Sequence, residues 1–395
     1  MSTPKILIAA GGTGGHLFPG LAIAQEWQRR RPVDVVFAGT AKGLENRLLP
    51  KIGYPLVLLR VEGLIGRGKK TLGALLQLPR SLWDAWRVLR AVRPDLVIGT
   101  GGYASGPLLF MAVLTRYPSV VVEPNALPGV TNRLLAPLVD LVIGAFELSR
   151  RHLWARRLLV LGNPVRREVV AAGHTAPVSA RGMTVSVSGP PAGQSGQAVM
   201  SFSPDEAAPP PTVRRTVLVL GGSQGAHAIN QLMIEALDEL GAWRESIWVI
   251  HQTGEADAAW VRQAYDRRGV GGRVESFIHS MGDVYAQADL LISRAGATTI
   301  AEMTACGRPS ILIPLPQAAH RHQHHNAWAL EREGAAIVCE QSELTGPRLA
   351  QLLRDLLGDD ARLAAMAAAS RRLGRPDAAV TVVEACEALL DRGRA

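Results

Sequence analysis

The chain has 395 residues, of which 47% are hydrophobic and 19% are charged. This length predicts two domains of roughly 150 residues or more each, and the composition excludes both a disordered chain and a single small module. The net charge of +9 favours an anionic partner, which could be a nucleic acid, a phosphorylated substrate or an anionic lipid surface.

The N-terminal sequence and the cysteines exclude several classes of protein. No apolar run approaches the ~18 residues that a membrane-spanning helix requires. The chain passes directly into the apolar segment Ile6 to Ala10, without the length and cleavage site of a secretory signal. Cys306, Cys339 and Cys386 have neither the spacing of a disulfide framework nor that of a metal-binding or redox pair. We therefore expect a cytosolic protein whose cysteines have packing roles.

Two series of short apolar segments predict the strands of two parallel sheets, each covered on both faces. The first series comprises residues 6–10, 33–38, 56–61, 96–98, 120–122 and 141–143. The second comprises residues 216–220, 247–251, 274–277, 290–292, 310–313 and 336–339. Helix-like amphipathic segments separate most of them, so the fold class is α/β with two similar domains.

The segment between the two series has a different composition. Residues 173–212 are rich in Gly, Pro, Ser and Ala and contain a single aromatic residue, Phe202. Such a segment cannot form a core of its own, which predicts a low-complexity insertion beside a domain boundary near residues 163–215.

Three glycine clusters follow predicted strands. They are Gly11-Gly-Thr-Gly-Gly-His16, Gly101-Gly-Tyr-Ala-Ser-Gly-Pro107 and Gly221-Gly-Ser-Gln-Gly-Ala226. Glycines at a strand-to-helix turn let backbone N–H groups approach a phosphate or a sugar, and we expect the first helix to begin near Pro19. Two such turns, each after the first strand of its domain, predict a cleft with phosphate-binding loops on both walls.

Other signals point away from common sites. A dinucleotide-binding fingerprint would need a small residue where Leu17 stands. Gly63 to Lys70 nearly matches a nucleotide-hydrolase loop, but Lys70 replaces the hydroxyl that would hold Mg²⁺. The histidines of residues 320–325 lack a carboxylate or a cysteine among them and lack the spacing of a zinc site, so we expect no metal.

Residues 60–93 combine basic side chains with leucine and tryptophan. This combination suits a surface that rests on an anionic bilayer, and the alternative is an ordinary amphipathic helix buried by its apolar face. The candidate membrane-contact residues are Lys69, Lys70, Leu75, Leu76 and Trp83.

The segment Ser293 to Glu302 follows a predicted strand and begins a helix. Its first-turn N–H groups and hydroxyls could contact a phosphate or sugar. Glu302 could accept hydrogen bonds from a ribose diol, or it could be a solvated helix residue.

Together the motifs resemble those of the bacterial peptidoglycan N-acetylglucosaminyltransferase family. The resemblance covers nearly the whole chain except residues 173–212. The resemblance rests on the three glycine clusters, Phe18-Pro-Gly-Leu-Ala22, Gly162-Asn-Pro-Val-Arg166, Arg294-Ala-Gly-Ala-Thr298 with Glu302, and His322-Gln323 ahead of Asn326-Ala327.

The resemblance implies a GT-B fold, in which two Rossmann-like domains face a central cleft. Residues 1–163, joined by the final helix 377–395, would form the acceptor and membrane-association domain, and residues 164–172 and 213–376 the UDP-GlcNAc-binding domain. Implied donor contacts are Thr13, Gly14, Gly15, Asn125, Arg166, Ser223, Ile278, Ala297, Thr298, Thr299, Ile300, Ala301, Glu302 and Gln323. Ile278 would meet the uracil, Glu302 the ribose, and Ser223 with Arg166 the pyrophosphate. Acceptor-side candidates are Gly102, Tyr103 and Ser105.

The implied reaction moves GlcNAc from UDP-GlcNAc to the C4 hydroxyl of MurNAc in undecaprenyl-pyrophosphoryl-MurNAc-pentapeptide (lipid I), giving lipid II at the cytoplasmic face of the membrane. A histidine suits removal of the hydroxyl proton near neutral pH, so His16 is the first candidate base and Glu123 the second. His16 could instead brace the glycine turn or bind acceptor phosphate. No cofactor and no nucleic-acid partner are expected; the alternatives are an NAD-dependent oxidoreductase and a basic nucleic-acid binding protein.

Overall fold

The computed structural model describes residues 3–41, 43–61, 71–173, 215–222, 224–318 and 321–394, and the side chains of 71–78, 393 and 394 are not described. The predicted insertion therefore lies outside the described residues apart from Gly173. Lys69, Lys70 and Ser223 also lie outside them.

The first sheet has seven parallel strands in the order β3-β2-β1-β4-β5-β6-β7. The strands are β1 Lys5–Ala10, β2 Asp34–Gly39, β3 Leu56–Leu58, β4 Leu96–Gly101, β5 Ser119–Glu123, β6 Leu141–Gly144 and β7 Leu158–Val160. The chain order reverses at β1, which lies between β2 and β4. In such sheets, ligands bind beyond the carboxyl ends of the strands at this reversal point.

The second sheet has six parallel strands in the order β10-β9-β8-β11-β12-β13. The strands are β8 Arg215–Leu220, β9 Ile247–Gln252, β10 Gly272–Glu275, β11 Leu290–Ser293, β12 Ser310–Leu312 and β13 Ala336–Val338. Its reversal point is β8, the strand that precedes the glycine cluster Gly221 to Ala226. The two sheets confirm the predicted α/β class with two Rossmann-like domains.

Helices cover both faces of both sheets. Those of the first half are α1 Gly14–Arg30, α2 Leu44–Leu48, α3 Thr71–Val92, α4 Ser105–Leu114, α5 Val130–Leu135 and α6 Arg167–Gly173. Those of the second half are α7 His227–Glu239, α8 Ala258–Arg268, α9 Met281–Gln287, α10 Ala297–Ala305, α11 His322–Arg332, α12 Gly346–Leu357, α13 Asp360–Leu373 and α14 Ala378–Arg394. Alternate residues of β1 belong to different core layers, Ile6 and Ile8 to one and Leu7 and Ala9 to the other. This two-sided burial explains why the strands are continuously apolar.

The expected start of the first helix near Pro19 is wrong, because α1 begins at Gly14 and contains Pro19. Proline has no N–H to donate to the carbonyl four residues earlier, so the Gly15 carbonyl loses its helical partner. Thr298 supplies a replacement, because its Oγ1 donates a 3.0 Å hydrogen bond to the Gly15 oxygen.

Strand β7 was not predicted, and three other strands differ from their expected bounds by two residues or more. The predicted strand at 56–61 ends at Leu58, that at 274–277 spans Gly272–Glu275, and that at 96–98 extends to Gly101. Strands β3, β7 and β10 lie at sheet edges, where one neighbour is missing and burial is incomplete, so the apolar pattern marks their ends poorly. The central strand β4 is longer than predicted because its last three residues include Gly99 and Gly101, which carry no apolar side chain.

The final helix returns to the first domain. Helix α14 packs against α1, and its Val382, Val383 and Cys386 belong to the core layer of Ile6 and Ile8. Arg30 of α1 forms ion pairs with Glu384 and Glu387. The chain therefore passes between the domains twice, once before α6 and once before α14.

Candidate functional site

A cavity of about 560 Å³ lies between the two domains and beyond the carboxyl ends of both sheets. The turns after β1 and β8 line it from opposite sides, as the glycine clusters predicted. The predicted site residues that line it are Thr13, Gly14, Gly15, His16, Asn125, Arg166, Ile278, Ala297, Thr298, Thr299, Glu302 and Gln323. Ile300 and Ala301 lie further along α10 and are not among its lining residues.

His16 lies in the first turn of α1, on the first-domain wall. Its Nδ1 is 3.1 Å from the Thr100 carbonyl oxygen, which can only accept a hydrogen bond. The neutral imidazole therefore carries its proton on Nδ1, and Nε2 is left as an acceptor. Burial lowers the pKa of His16, against the opposing effect of the Glu123 charge. The ring is thus held neutral near pH 7, the state that a general base requires.

The turn around Gly101 makes room for that imidazole. A Cβ atom at Gly101 would overlap the His16 ring, and a Cβ at Gly102 would overlap the Gly11 carbonyl. The cluster of Gly101 to Pro107 therefore packs directly against that of Gly11 to His16.

Of the acceptor-side candidates, Tyr103 is exposed, whereas Ser105 is buried. The Ser105 Oγ lies 2.9 and 2.6 Å from the Ala9 and Gly101 carbonyl oxygens, either of which can accept its single proton, and it accepts from the Gly101 N–H at 3.1 Å. Ser105 thus braces the turn from within, and none of the three acceptor-side candidates is among the lining residues of the cavity.

Glu123 is 1% exposed and does not line the cavity. Its Oε1 accepts from the N–H and Nδ2 of Asn125 at 2.9 and 3.1 Å. Its Oε2 accepts from Gly129 N and Asn132 Nδ2 at 3.0 and 2.8 Å. A carboxylate that already accepts four hydrogen bonds is poorly placed to accept a substrate proton. This geometry favours His16 over Glu123 as the base.

On the second-domain wall, Gln252 connects the glycine turn to the predicted uracil contact. Its Nε2 donates to the Gly222 carbonyl at 2.8 Å, and its Oε1 accepts from the Ile278 N–H at 2.9 Å. The N–H of Ile278 is therefore occupied, and its carbonyl oxygen remains as the backbone group that a nucleobase could contact. No motif marked Gln252, because it is simply the last residue of β9 and nothing local distinguishes it.

Arg166 and Glu302, predicted to hold different parts of the donor, contact each other. Oε1 of Glu302 lies 2.8 Å from Nη2 and 3.2 Å from Nε of Arg166. The guanidinium also lies 4.2 Å from the centroid of the Phe18 ring, across the cleft. Burial would lower the pKa of Arg166, but the adjacent Glu302 carboxylate outweighs it and raises that pKa. Glu302 is therefore not a solvated helix residue.

Tyr285, which the sequence did not single out, completes this group. Its hydroxyl donates to Oε2 of Glu302 at 3.3 Å. Burial, helped by the negative charge of Glu302, raises the pKa of Tyr285 well above its usual range. The phenol stays protonated and holds the carboxylate oriented toward the cavity that all three side chains line.

Two asparagines and a threonine join the domains across the cleft. Asn326 of α11 accepts from the Ala126 N–H at 2.9 Å through Oδ1, and its Nδ2 lies 3.3 Å from Asn125 Oδ1. The Thr298 bond to Gly15 lies beside them. Asn326 was part of a quoted motif but not a predicted site residue, and its contact partner is 200 positions away in the sequence.

Within the part of the chain that the structure describes, no group of three or more His, Cys, Asp or Glu side chains could hold a metal ion. Nor does any described helix have both the length and the apolarity to cross a bilayer.

Comparison with known proteins identifies both halves of the chain. Residues 6–143 match the glycosyltransferase family 28 N-terminal domain, and residues 216–382 match the C-terminal domain of the same family.

Curated relatives align with nearly the whole chain. The chain is 44% identical to the UDP-N-acetylglucosamine--N-acetylmuramyl-(pentapeptide) pyrophosphoryl-undecaprenol N-acetylglucosamine transferase of Anaeromyxobacter dehalogenans, over 98% of this chain and 94% of that protein. It is 42% identical to the enzyme of the same name from Geobacter sulfurreducens, over 96% and 97%. The crystal structure of Acinetobacter baumannii MurG superposes with a TM-score of 0.72 at 30% identity, covering 97% of this chain and 99% of that one.

Proposed function

The chain belongs to glycosyltransferase family 28 and has its GT-B fold, and we propose that it transfers GlcNAc from UDP-GlcNAc to the MurNAc C4 hydroxyl of lipid I, forming lipid II for peptidoglycan synthesis. The observation that carries this proposal is the cavity between the domains, which is lined by His16 on one wall and by the Arg166–Glu302 pair on the other. Relatives with 41–44% identity carry the name of this transferase.

In the proposed donor complex, the uridine lies against the second domain. The Ile278 carbonyl accepts from the uracil N3–H, and Glu302 accepts from the ribose hydroxyls. Ser223 and Arg166 contact the pyrophosphate. Gln323 is oriented by its Oε1, which accepts from the Leu315 N–H at 2.9 Å, and its amide nitrogen serves the sugar together with Asn125 and Thr13 to Gly15.

The pyrophosphate receives further stabilisation from two helix N-termini. Helix α7 follows Ala226 and α10 follows Gly296, neither of which has a side-chain oxygen to cap the first N–H groups. Such uncapped N–H groups and the helix dipole favour an anion. Together with Arg166 they stabilise the charge that develops on departing UDP, so the reaction needs neither a metal nor an organic cofactor.

The reaction is a single inverting displacement. Nε2 of His16 accepts the proton of the acceptor C4 hydroxyl as its oxygen forms the new bond to the anomeric carbon of GlcNAc. The bond from that carbon to the β-phosphate oxygen breaks, and UDP leaves with the electron pair. Tyr103 and the Gly102 backbone contact the acceptor beside His16.

We further propose that the first domain rests on the anionic cytoplasmic face of the cell membrane. Among the described residues, the exposed large hydrophobic side chains all belong to this domain, and Trp83 is 57% exposed. Trp83 stacks on Trp86 at 4.8 Å, and the exposed Arg80, Arg87 and Arg90 lie on the same helix, α3. Apolar and basic side chains together suit an anionic bilayer rather than a nucleic acid.

Incubation with radiolabelled UDP-GlcNAc and a lipid I analogue tests donor, acceptor and reaction together. The expected product is a labelled, lipid-linked disaccharide, formed at the same rate in the presence of a chelator. UDP release without sugar transfer would contradict the proposed acceptor. Retention on an NAD or DNA resin in preference to a UDP resin would instead favour the oxidoreductase or the nucleic-acid binding protein.

A further inference from the structure

A buried carboxylate lies beneath the first glycine turn. Glu45, in the short helix α2, is 0% exposed. Its Oε2 accepts from the Gly12 N–H at 2.9 Å, and its Oε1 accepts from the N–H and Oγ1 of Thr40 at 2.7 and 3.0 Å. Burying an ionised group is costly unless hydrogen bonds compensate for the lost water, and these three donors do so.

Three glycines leave the space that this carboxylate fills. A Cβ at Gly11 would approach Oε1 of Glu45 to 3.1 Å, and a Cβ at either Gly39 or Gly43 would overlap the Glu45 side chain. Gly43 has φ −80° and ψ 165°, a conformation that any residue adopts. Its lack of a side chain is therefore required by Glu45 and not by the backbone.

The contact with Gly12 changes what the first turn can bind. The Gly12 N–H donates to Glu45 and is therefore not available to a phosphate. The carboxylate of Glu45 beneath the turn also opposes the binding of an anion there. The expectation of phosphate-binding loops on both walls is thus wrong for Gly12. The turn is instead held from below by Glu45 and from the side by Gly102, whose Cβ would overlap the Gly11 carbonyl.

We propose that Glu45 is a positioning residue for the transfer: it fixes the Gly11–Thr13 turn and so sets where His16, at the start of α1, meets the acceptor hydroxyl. This inference rests on the proposed function and on His16 as the base. Glu45 touches no substrate, because it is fully buried beneath the turn. Its effect should therefore reach the reaction chiefly through His16 and leave the uridine and pyrophosphate contacts of the second-domain wall unchanged.

The test compares steady-state transfer by Glu45→Gln, His16→Ala and the double variant. In Glu45→Gln the amide can no longer offer two acceptor oxygens, and we expect kcat to fall about 10²-fold, the effect of displacing a catalytic group by ~1 Å. KM for UDP-GlcNAc should change much less than kcat, because the uridine and pyrophosphate contacts lie on the second-domain wall and only the sugar contacts of Thr13 to Gly15 belong to this turn. If Glu45 acts through His16, the double variant should have the kcat of His16→Ala alone. Transfer by the wild-type chain establishes the proposed function first, so failure of this inference appears only in the variants.

A second variant and a matched control separate positioning from general stability. Gly43→Ala keeps the Glu45 carboxyl group but forces its side chain away from Gly12, and it should also lower kcat by a larger factor than it raises the donor KM. Asp140→Asn is the control. That carboxylate likewise accepts from a backbone N–H and a hydroxyl, both of Ser119, but it lies at the amino ends of the strands, away from the cavity. It should leave kcat unchanged. Wild-type kcat in Glu45→Gln, or a fully additive loss in the double variant, would overturn the proposal.

Discussion

Arg166 and Glu302 are 136 positions apart and form a buried ion pair in which one carboxylate oxygen, Oε1, lies 2.8 Å from Nη2 and 3.2 Å from Nε of the guanidinium. The pair lies where the proposed UDP would lie. Donor binding must therefore draw Arg166 toward the diphosphate while Glu302 turns to the ribose. Without the nucleotide, each of these two buried side chains has the other as a hydrogen-bond partner.

Glu302→Gln should raise KM for UDP-GlcNAc and also destabilise the fold. Breaking a buried pair by removing one partner typically costs about 3–5 kcal/mol, because the remaining charge is left without compensation. Steady-state kinetics and urea unfolding measure the two effects.

Glu168→Gln is the matched control for that substitution. Glu168 lies 3.5 Å from the same guanidinium, but its side chain is 51% exposed. An exposed partner of this kind contributes about 0–1 kcal/mol, so donor KM should hardly change. A Glu302→Gln variant with wild-type donor KM would remove Glu302 from the donor site.

His16→Ala should lower kcat by about 10²-fold or more at saturating acceptor, because general-base catalysis contributes at least that much. KM for the donor should change less, since the nucleotide contacts lie on the other wall. The exposed His152 provides a control, and His152→Ala should retain wild-type turnover. Wild-type kcat in His16→Ala would assign the base to another group.

The pH profile of kcat/KM should report the burial of His16. Burial lowers its pKa from the ordinary value of 6.5, and the base acts in its neutral form. Activity should therefore stay level as the pH falls through 6.5 and decline only below it, at the depressed pKa of the free enzyme. An acidic limb centred above 6.5 would contradict this burial effect. The limb should disappear in His16→Ala.

Thr298→Val should destabilise the closed interface by about 1–3 kcal/mol, because the Gly15 carbonyl loses its hydrogen-bond donor. The Gly15 carbonyl has no partner within α1 because Pro19 lacks an N–H. Pro19→Ala restores an N–H at that position of the helix. In that background Thr298→Val should cost less, and urea unfolding of the four proteins measures the coupling. Equal costs in both backgrounds would show that the two residues do not share the carbonyl.

Combined replacement of Lys69, Leu75, Leu76 and Trp83 by Ser should weaken cosedimentation with anionic vesicles. The substitution removes apolar area and one positive charge that a bilayer surface would bind. Neutral phosphatidylcholine vesicles serve as the control, because they lack the electrostatic contribution. Undiminished sedimentation would favour the alternative of a helix buried by its apolar face.

The sequence predicts the two sheets and the location of the cleft because those features depend on local chemistry. Apolar runs mark the buried strands, and glycines mark the turns at β1 and β8. It does not predict that Arg166 meets Glu302, that Asn326 meets Ala126, or that Gln252 orients Ile278. Those contacts join residues separated by 136, 200 and 26 positions, and only the packing of the elements brings them together.

The supporting role of Glu45 was missed for the same reason. Its three nearby glycines look like ordinary turn residues in the sequence, because Gly11 follows β1 whereas Gly39 ends β2 and Gly43 precedes α2. The start of α1 was misplaced because a proline usually marks the beginning of a helix, whereas here a hydroxyl of the other domain replaces the missing donor.

The two chain crossings between the domains lie side by side, since a Cβ at Gly162 in the first would lie 2.7 Å from the Arg375 Cβ in the second. Two adjacent covalent connections define a common axis. Opening of the cleft should therefore be a rotation about that axis, with sliding and twisting of one domain over the other suppressed. A substrate that enters from the far side would meet the same pair of walls at every angle of opening.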